Sequence, residues 1–341
     1  MSGFPEGNAI VYCQGAFNTT NGKTAHGLVR RTKRYRILSV VDSRYAGSDA
    51  GEVLDNQKDG IPIYASIKQA FEAASQTSSK PTHLVVGLAP DGGRLSQEAR
   101  ADVKDAIRLG LNVDCGLHDF LSEKTPPCNE LHFFSGKIEQ VTSLKVALLG
   151  SDSAIGKRTT AWILVEALTS AGYKAEMIGT GQTAWMQGAK YSIILDSLIN
   201  DFVAGEIEHA VWSAWREENP DVIVIEGQGS LMNPAYPGGF EILAAGRPDV
   251  VVLQHAPARK EYDGFPGFPM HPLDVQIKAV ELLSGKPVVA VTINHENLSL
   301  DEVPEICSKI RSETVLACCD PLIDGVDEVV NVLRKYLKSK K

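Results

Sequence analysis

Residues 144–160 read LKVALLGSDSAIGKRTT, and no other stretch limits the fold as strongly. An apolar run, a glycine-rich turn and a helical pattern follow one another, the order in which a strand passes to a helix through a phosphate-binding turn. Gly150 and Gly156 let the backbone fold tightly and approach a ligand. N–H groups of the turn and of the first helical residues then point at phosphate oxygens, where the helix N-terminus favours negative charge. Lys157 adds a point charge, and Thr159 or Thr160 offers the hydroxyl that ordinarily reaches magnesium. The spelling departs from the usual Gly, four residues, Gly-Lys-Ser/Thr. Five residues separate Gly150 from Gly156, and Arg158 stands where the hydroxyl belongs, which shifts that hydroxyl by one residue or adds a second charge. Ser151, Asp152 and Ser153 complete the candidate phosphate turn. The competing reading is a glycine-rich turn without a ligand, which leaves the strand, both glycines, the lysine and the threonine pair as coincidence.

Around this loop, short β-rich runs alternate with helical patterns, which indicates parallel sheets with crossover helices. In the first half, NAIVYC, YRILSVVDS, GIPIYAS, THLVVGLA and NVDCGL read as strands, and KTAHGLVRR, IKQAFEAAS and SQEARADVKDAIRLG as helices. NVDCGL would end near His118, and SEKTPPCNE marks an irregular segment. A domain boundary is placed just after it, giving domains 1–142 and 143–341. In the second half, KVALLG, KAEMIGTG, DVIVIEGQGSL, PDVVVLQHAP, KPVVAVTINHE and TVLACCDPL read as strands. Their continuous apolarity suits a sheet covered on both faces. RTTAWILVEALTSAG is a helix closed by Gly172, SIILDSLINDFVAGEIEHAVWSAWREEN is one long helix ended by Pro220, and GVDEVVNVLRKYLKSKK is a terminal helix. The expected fold is α/β: two parallel-sheet domains, the second built on the phosphate loop.

Composition narrows the function classes. Apolar residues at 43% and charged residues at 22% are those of a soluble globular chain. A formal charge of −8 gives no basic surface for nucleic acid. No apolar run approaches the roughly 20 residues that span a bilayer. The start, MSGFPEGNAIVYC, lacks a basic segment followed by an apolar one, so no signal peptide and a cytoplasmic location are expected. Six scattered cysteines without CxxC spacing read as reduced thiols rather than a zinc site.

Several strand ends carry chemistry-bearing residues, and in open α/β sheets ligands sit beyond those ends. Glu226 ends a strand, placed to handle magnesium or to act as a base. His255 ends another and is a candidate base or oxyanion donor. Asn294 has an amide suited to the edge of an adenine. In GTGQTAWMQG, Gln182 and Thr183 are candidates for a substrate carboxylate, against an ordinary loop. Asp201, Glu206 and Glu208 lie along one helix; Asp201 or Glu206 would bind a substrate amine or take its proton, against a solvated acidic face. Arg259, in a Pro- and Gly-rich stretch, is a candidate carboxylate clamp. Asp42 ends a strand of the first half, where an acid can hold a ribose hydroxyl, but the GxGxxG spelling is absent.

LLGSDSAIGKRTT resembles the loop of dethiobiotin synthetase-like P-loop enzymes. Together with GKTAHGLVR, VVDSRYAGSDAGEVLD, LAPDGGRLSQEAR, GLHDFLSE, GTGQTAWMQG, DFVAGEIE, EGQGSLMNPAYPGG and HAPARKEYDGFP, it is similar to a narrower two-domain family. That family joins an N-terminal Rossmann-like domain to a variant P-loop domain, and its characterised activity is D-glutamate N-acetyltransferase. Ala184 and Ser153 depart from the family pattern, which has glycine and often cysteine there. The resemblance implies acetyl-CoA as acyl donor, since coenzyme A carries an adenine nucleotide and a diphosphate that a phosphate loop can hold uncleaved. The expected function is N-acylation of a small amino acid such as D-glutamate by a homo-oligomer. An ATP-dependent ligase or kinase would use the same loop, with Thr159, Glu226 and Asp152 serving Mg2+. A nucleotide-binding regulatory module without chemistry is the third reading.

Overall fold

The computed structural model describes residues 6–90, 94–117 and 131–340. His118, Cys128 and the irregular segment SEKTPPCNE lie outside the described residues. The chain divides into two compact units, Met1–Thr125 with Gln182–Gly188, and Pro126–Gly181 with Ala189–Lys341. Residues 131–142 therefore go with the second unit, and a short piece of the expected second domain returns to the first.

The first unit holds one parallel sheet, in the order β3-β2-β1-β4-β5. Its strands are β1 (Gly7–Tyr12), β2 (Tyr35–Val41), β3 (Ile63–Tyr64), β4 (His83–Val86) and β5 (Asn112–Asp114). Its crossover helices are α1 (Lys23–Arg30), α2 (Ala50–Asp55), α3 (Ile67–Ser75) and α4 (Gln97–Arg108). The alternation of β1 divides the core between two layers. Ala9, Val11 and Cys13 pack with α1 through Ala25 and Leu28. Ile10 and Tyr12 pack with α3 and α4 through Ala70 and Val103. Asp42 is buried, and its carboxylate accepts from the Phe17 N–H at 2.8 Å and from the Arg44 side chain at 2.8 Å. Burial opposes its charge, but the Arg44 guanidinium and these N–H groups outweigh burial and hold its carboxyl below the usual range. Asp42 thus closes its own turn instead of presenting an acid to a ribose.

The second unit is a parallel sheet in the order β12-β11-β10-β6-β9-β7-β8. Its strands are β6 (Leu144–Gly150), β7 (Ala175–Gly179), β8 (Tyr191–Ser192), β9 (Val222–Glu226), β10 (Val250–His255), β11 (Val288–Ile293) and β12 (Ala317–Cys319). The helix α5 (Lys157–Ser170) follows β6; α6 (Gln182–Met186) belongs to the first unit. Then come α7 (Asn200–Glu218), α8 (Gly239–Gly246), α9 (Leu273–Ser284), α10 (Val303–Thr314) and α11 (Asp327–Lys340). Ala147 and Leu149 face α7, α8 and α9, whose Ile207, Ile242 and Val280 join the same core. α5 and α11 pack against each other and against the sheet.

The single long helix expected over SIILDSLINDFVAGEIEHAVWSAWREEN is a correction. Tyr191 and Ser192 pair with Ile178 and Gly179 as an edge strand, and Leu195–Ser197 forms a 3-10 turn before α7 begins at Asn200. Strand pairing satisfies backbone groups that helical propensity alone would have coiled. The crossovers α9 and α10 escaped the sequence reading, although β10, β11 and β12 are parallel neighbours and parallel neighbours require such connections. The cysteines among the described residues, Cys13, Cys115, Cys307, Cys318 and Cys319, are all free. No helix among the described residues is long and apolar enough to cross a membrane.

Candidate functional site

β6 runs up the middle of the second sheet between β10 and β9, with Gly150 opposite Gln254 and Leu148 opposite Glu226. The chain then turns through residues 151–156 and enters α5 at Lys157. Gly156 caps this helix with φ +93°, a conformation that side-chain-bearing residues rarely adopt. A Cβ at Gly150 would lie 2.7 Å from Lys157 Cδ, so only glycine lets the lysine cross the mouth of the turn. Lys157 is buried and its Nζ donates to the Asp152 carbonyl at 2.6 Å. These features fit a diphosphate: helix-end N–H groups and a lysine held across the loop.

The turn is held from below by residues far away in sequence. The Ser151 N–H donates to the Gln254 carbonyl at 2.9 Å, and Ser151 Oγ lies 2.9 Å from His255 Nδ1. Asp152 is fully buried; its carboxylate accepts from Asn233 Nδ2 at 2.9 Å, from Arg259 at 2.8 Å and from the Asp263 N–H at 2.8 Å. Arg259 also donates to the Ser153 carbonyl at 2.7 Å and to Glu296 at 2.8 Å. Burial opposes its charge, and the Glu296 and Asp152 carboxylates more than compensate, so the guanidinium stays firmly protonated. Asn294 donates to the Ile155 carbonyl at 3.1 Å and accepts from the Glu296 N–H at 2.8 Å. The Thr160 hydroxyl donates to Gln254 Oε1 at 2.8 Å, an oxygen that also accepts from Thr292.

These contacts give four of the expected residues partners within the protein. Arg259 is a strut of the loop, Asp152 receives that strut, Asn294 holds the Ile155 carbonyl, and Thr160 points its hydroxyl at Gln254. Thr159 and Arg158 are half-buried on the first turn of α5. Gly150, Ser151, Ser153, Gly156 and Lys157 all lie in the turn as expected.

Glu226 and His255 stand at neighbouring strand ends on either side of β6. Glu226 accepts from the Thr180 N–H at 2.9 Å, and Thr180 Oγ1 donates to the Glu226 carbonyl at 3.1 Å. Burial pushes the Glu226 carboxyl up from its ordinary value; the nearby Arg158 charge, the Thr180 N–H and the Lys157 charge pull the other way. The departure from the usual loop spelling at Arg158 therefore places a guanidinium charge near this carboxyl. Burial pulls the His255 imidazole down to about 4, so at neutral pH the ring is uncharged, with one nitrogen able to donate and the other to accept. A ring this weakly basic suits hydrogen-bond donation to a developing negative charge better than proton abstraction.

The remaining expected residues have the following surroundings. Asp201 is exposed in the first turn of α7. Glu206 accepts from the His132 N–H at 2.7 Å and lies 2.8 Å from His132 Nδ1; Glu208 accepts from the Ser135 and Ile138 N–H groups. These two acids anchor residues 132–138 to α7. Gln182 and Thr183 belong to α6 of the first unit, where the Thr183 hydroxyl lies 2.8 Å from that of Thr24. Sequence reasoning missed Asn233, Gln254 and Asp263. Gln254 alone carried a signal, as an amide in an otherwise apolar strand, VVVLQH.

A cavity of about 230 Å3 opens beside the turn, bounded by Gly150, Leu149, Leu253 and the start of α9.

Comparison with known proteins agrees with this architecture. Residues 132–330 match the model described as "Domain of unknown function (DUF1611_C) P-loop domain", and residues 43–130 match "Domain of unknown function (DUF1611_N) Rossmann-like domain". A protein of Pseudoalteromonas sp named D-glutamate N-acetyltransferase is 28% identical over 267 residues, covering 72% of this chain and 79% of its own length. One of the same name from Tritonibacter scottomollicae is 26% identical over 291 residues, covering 78% and 84%. The crystal structure of a DUF1611 family protein from Anabaena variabilis ATCC 29413 superposes with a TM-score of 0.87 at 27% identity, covering 96% of this chain and 99% of that one. With a Rossmann-like unit, a P-loop unit and a family model spanning more than half its length, the chain belongs to the DUF1611 family.

Proposed function

We propose that this protein transfers an acyl group from a coenzyme A thioester to the amine of a small amino acid, D-glutamate being the acceptor that the relatives' names supply. One observation carries the reading: the loop keeps the parts that grip a diphosphate, while two of the groups that could serve a metal are committed within the protein, which leaves only Thr159 and Glu226 for that task. The Asp152 carboxylate is committed to Asn233, Arg259 and Asp263, and the Thr160 hydroxyl to Gln254. A loop that anchors phosphate without cleaving it tolerates that loss, whereas phosphoryl transfer requires a positioned magnesium.

In this reading Lys157 and the N–H groups at the start of α5 hold the diphosphate. The bound thioester supplies an activated carbonyl. As the amine nitrogen bonds to the carbonyl carbon, Glu226, with its carboxyl raised by burial, takes a proton from the nitrogen; the C–S bond breaks, and the departing coenzyme A thiolate takes up that proton as the thiol. The neutral His255 imidazole donates a hydrogen bond to negative charge developing on the carbonyl oxygen. The test is protection from thermal unfolding. Acetyl-CoA raises the Tm and ATP with magnesium does not; the reverse result favours the ligase or kinase reading. Lys157→Ala should weaken acetyl-CoA binding about tenfold to a hundredfold, the range for losing a charge-assisted hydrogen bond, as read by titration calorimetry.

Arg158 provides a check on Glu226. Its positive charge lowers the Glu226 pKa, so Arg158→Ala lets that pKa rise further. A base must be ionised to act, so the acidic limb of the kcat/KM profile should move to higher pH in the variant. An unmoved limb, or one displaced to lower pH, would separate Glu226 from the proton transfer.

A further inference from the structure

The cavity beside Gly150 has a chemical character that the phosphate loop lacks. Its volume is about 230 Å3, and its floor is Leu149, Leu253 and Val280, on the sheet face covered by α8 and α9. Gln228, Ser230 and Gln276 bring amide and hydroxyl groups to the wall, while Val275 stands at 42% exposure and Ala279 is half-buried. Among the described residues, no Lys, Arg, Asp or Glu lines it; the one titratable side chain at its wall is His271, whose Nδ1 lies 2.9 Å from the Tyr262 hydroxyl. An apolar cavity of about 150 Å3 already takes a benzene ring. An anion set here would be stripped of water without a countercharge, at a cost of several kcal/mol.

This contrast separates the candidate diphosphate ligands by what lies beyond the diphosphate. In ATP the next group is a further phosphate, which would lose water here without a matching cation in the wall. In a coenzyme A thioester it is the pantetheine arm, a gem-dimethyl carbon followed by neutral hydroxyl and amide groups. Such an arm buries its methyl groups against Leu149, Leu253 and Val280; the Gln228 and Gln276 side-chain N–H groups are already given to Asp196 and to the His271 carbonyl, so the apolar floor carries the fit. We infer that the cavity bounded by Gly150, Leu253 and α9 receives the pantetheine arm of the acyl donor, an assignment that rests on the acyl-transfer reading above.

The test is titration calorimetry with coenzyme A and with 3′-phospho-ADP, which keeps the whole nucleotide portion of coenzyme A, 3′-phosphate and diphosphate included, but lacks the arm. The wild type should bind coenzyme A more tightly than 3′-phospho-ADP. Ala279→Phe fills the cavity from within, and Val275→Trp blocks it from the exposed side of α9, where a folding defect is not expected. Each should weaken coenzyme A by about tenfold or more, the scale of an overpacking penalty. Each should leave 3′-phospho-ADP within about twofold, as for uncoupled sites. Coenzyme A affinity unchanged in folded Val275→Trp, or equal wild-type affinities for both ligands, overturns the cavity assignment alone. No binding of coenzyme A by the wild type overturns the acyl-transfer reading, and this assignment with it.

Discussion

Replacing Glu226 by glutamine should lower kcat by about 10²- to 10⁴-fold, the usual contribution of a positioned general base. The substitution keeps the shape and can keep the hydrogen bond from the Thr180 N–H, so the fold and acetyl-CoA affinity should be retained. The pH dependence is the sharper readout. Burial raises the Glu226 pKa, so wild-type kcat/KM should climb with pH through a value above that of an ordinary glutamate. The glutamine variant should lose that limb, because its side chain does not titrate. A variant that keeps both its kcat and its acidic limb would remove Glu226 from the chemistry, and the search for the base would move to other strand ends.

Arg259→Met should destabilise the second unit by about 3–5 kcal/mol, the range for breaking a buried ion pair by removing one partner. The carboxylate left behind, on Asp152, is fully buried, and the Arg259 side chain is 9% exposed, so solvent gives little screening. The Asn233 and Asp263 donors remain and place the expected value toward the lower end. Urea unfolding measures this directly, since m should stay constant while the midpoint falls. A loss below about 1 kcal/mol would rank the contact with surface pairs and contradict its role as a strut. The same variant should lose acetyl-CoA affinity, because Arg259 also holds the Ser153 carbonyl inside the loop.

The loop was legible because its information is local. Glycine at 150 and 156, lysine at 157 and the flanking apolar runs each act on the backbone within a few residues of themselves. The same holds for most strands, whose apolar runs and bounding turn residues lie within a single window. The two parallel sheets then follow, since helical segments between strands leave few other ways to cover both faces. Legibility failed where a residue's partner lies far along the chain. Arg259 reads as a ligand clamp from its Pro- and Gly-rich stretch; its partner Asp152, 2.8 Å away, lies more than a hundred residues earlier. The Ile155 partner of Asn294 and the His132 partner of Glu206 are equally hidden from a local window. Residues 191–199 went astray because pairing with β7 overrode a local pattern compatible with a helix.

The sequence by itself determined the α/β class, the strand–turn–helix of the P-loop, and the placing of Glu226 and His255 at strand ends. Those properties follow from backbone conformation and hydrophobic periodicity, which neighbouring residues set. Only the tertiary structure decided which polar side chains remain to do chemistry. Burial raises Glu226 and neutralises His255, and distant partners turn Asp152, Arg259, Asn294 and Thr160 into scaffolding. Desolvation and hydrogen-bond partnership exist only once remote segments meet, so no local window of residues contains them.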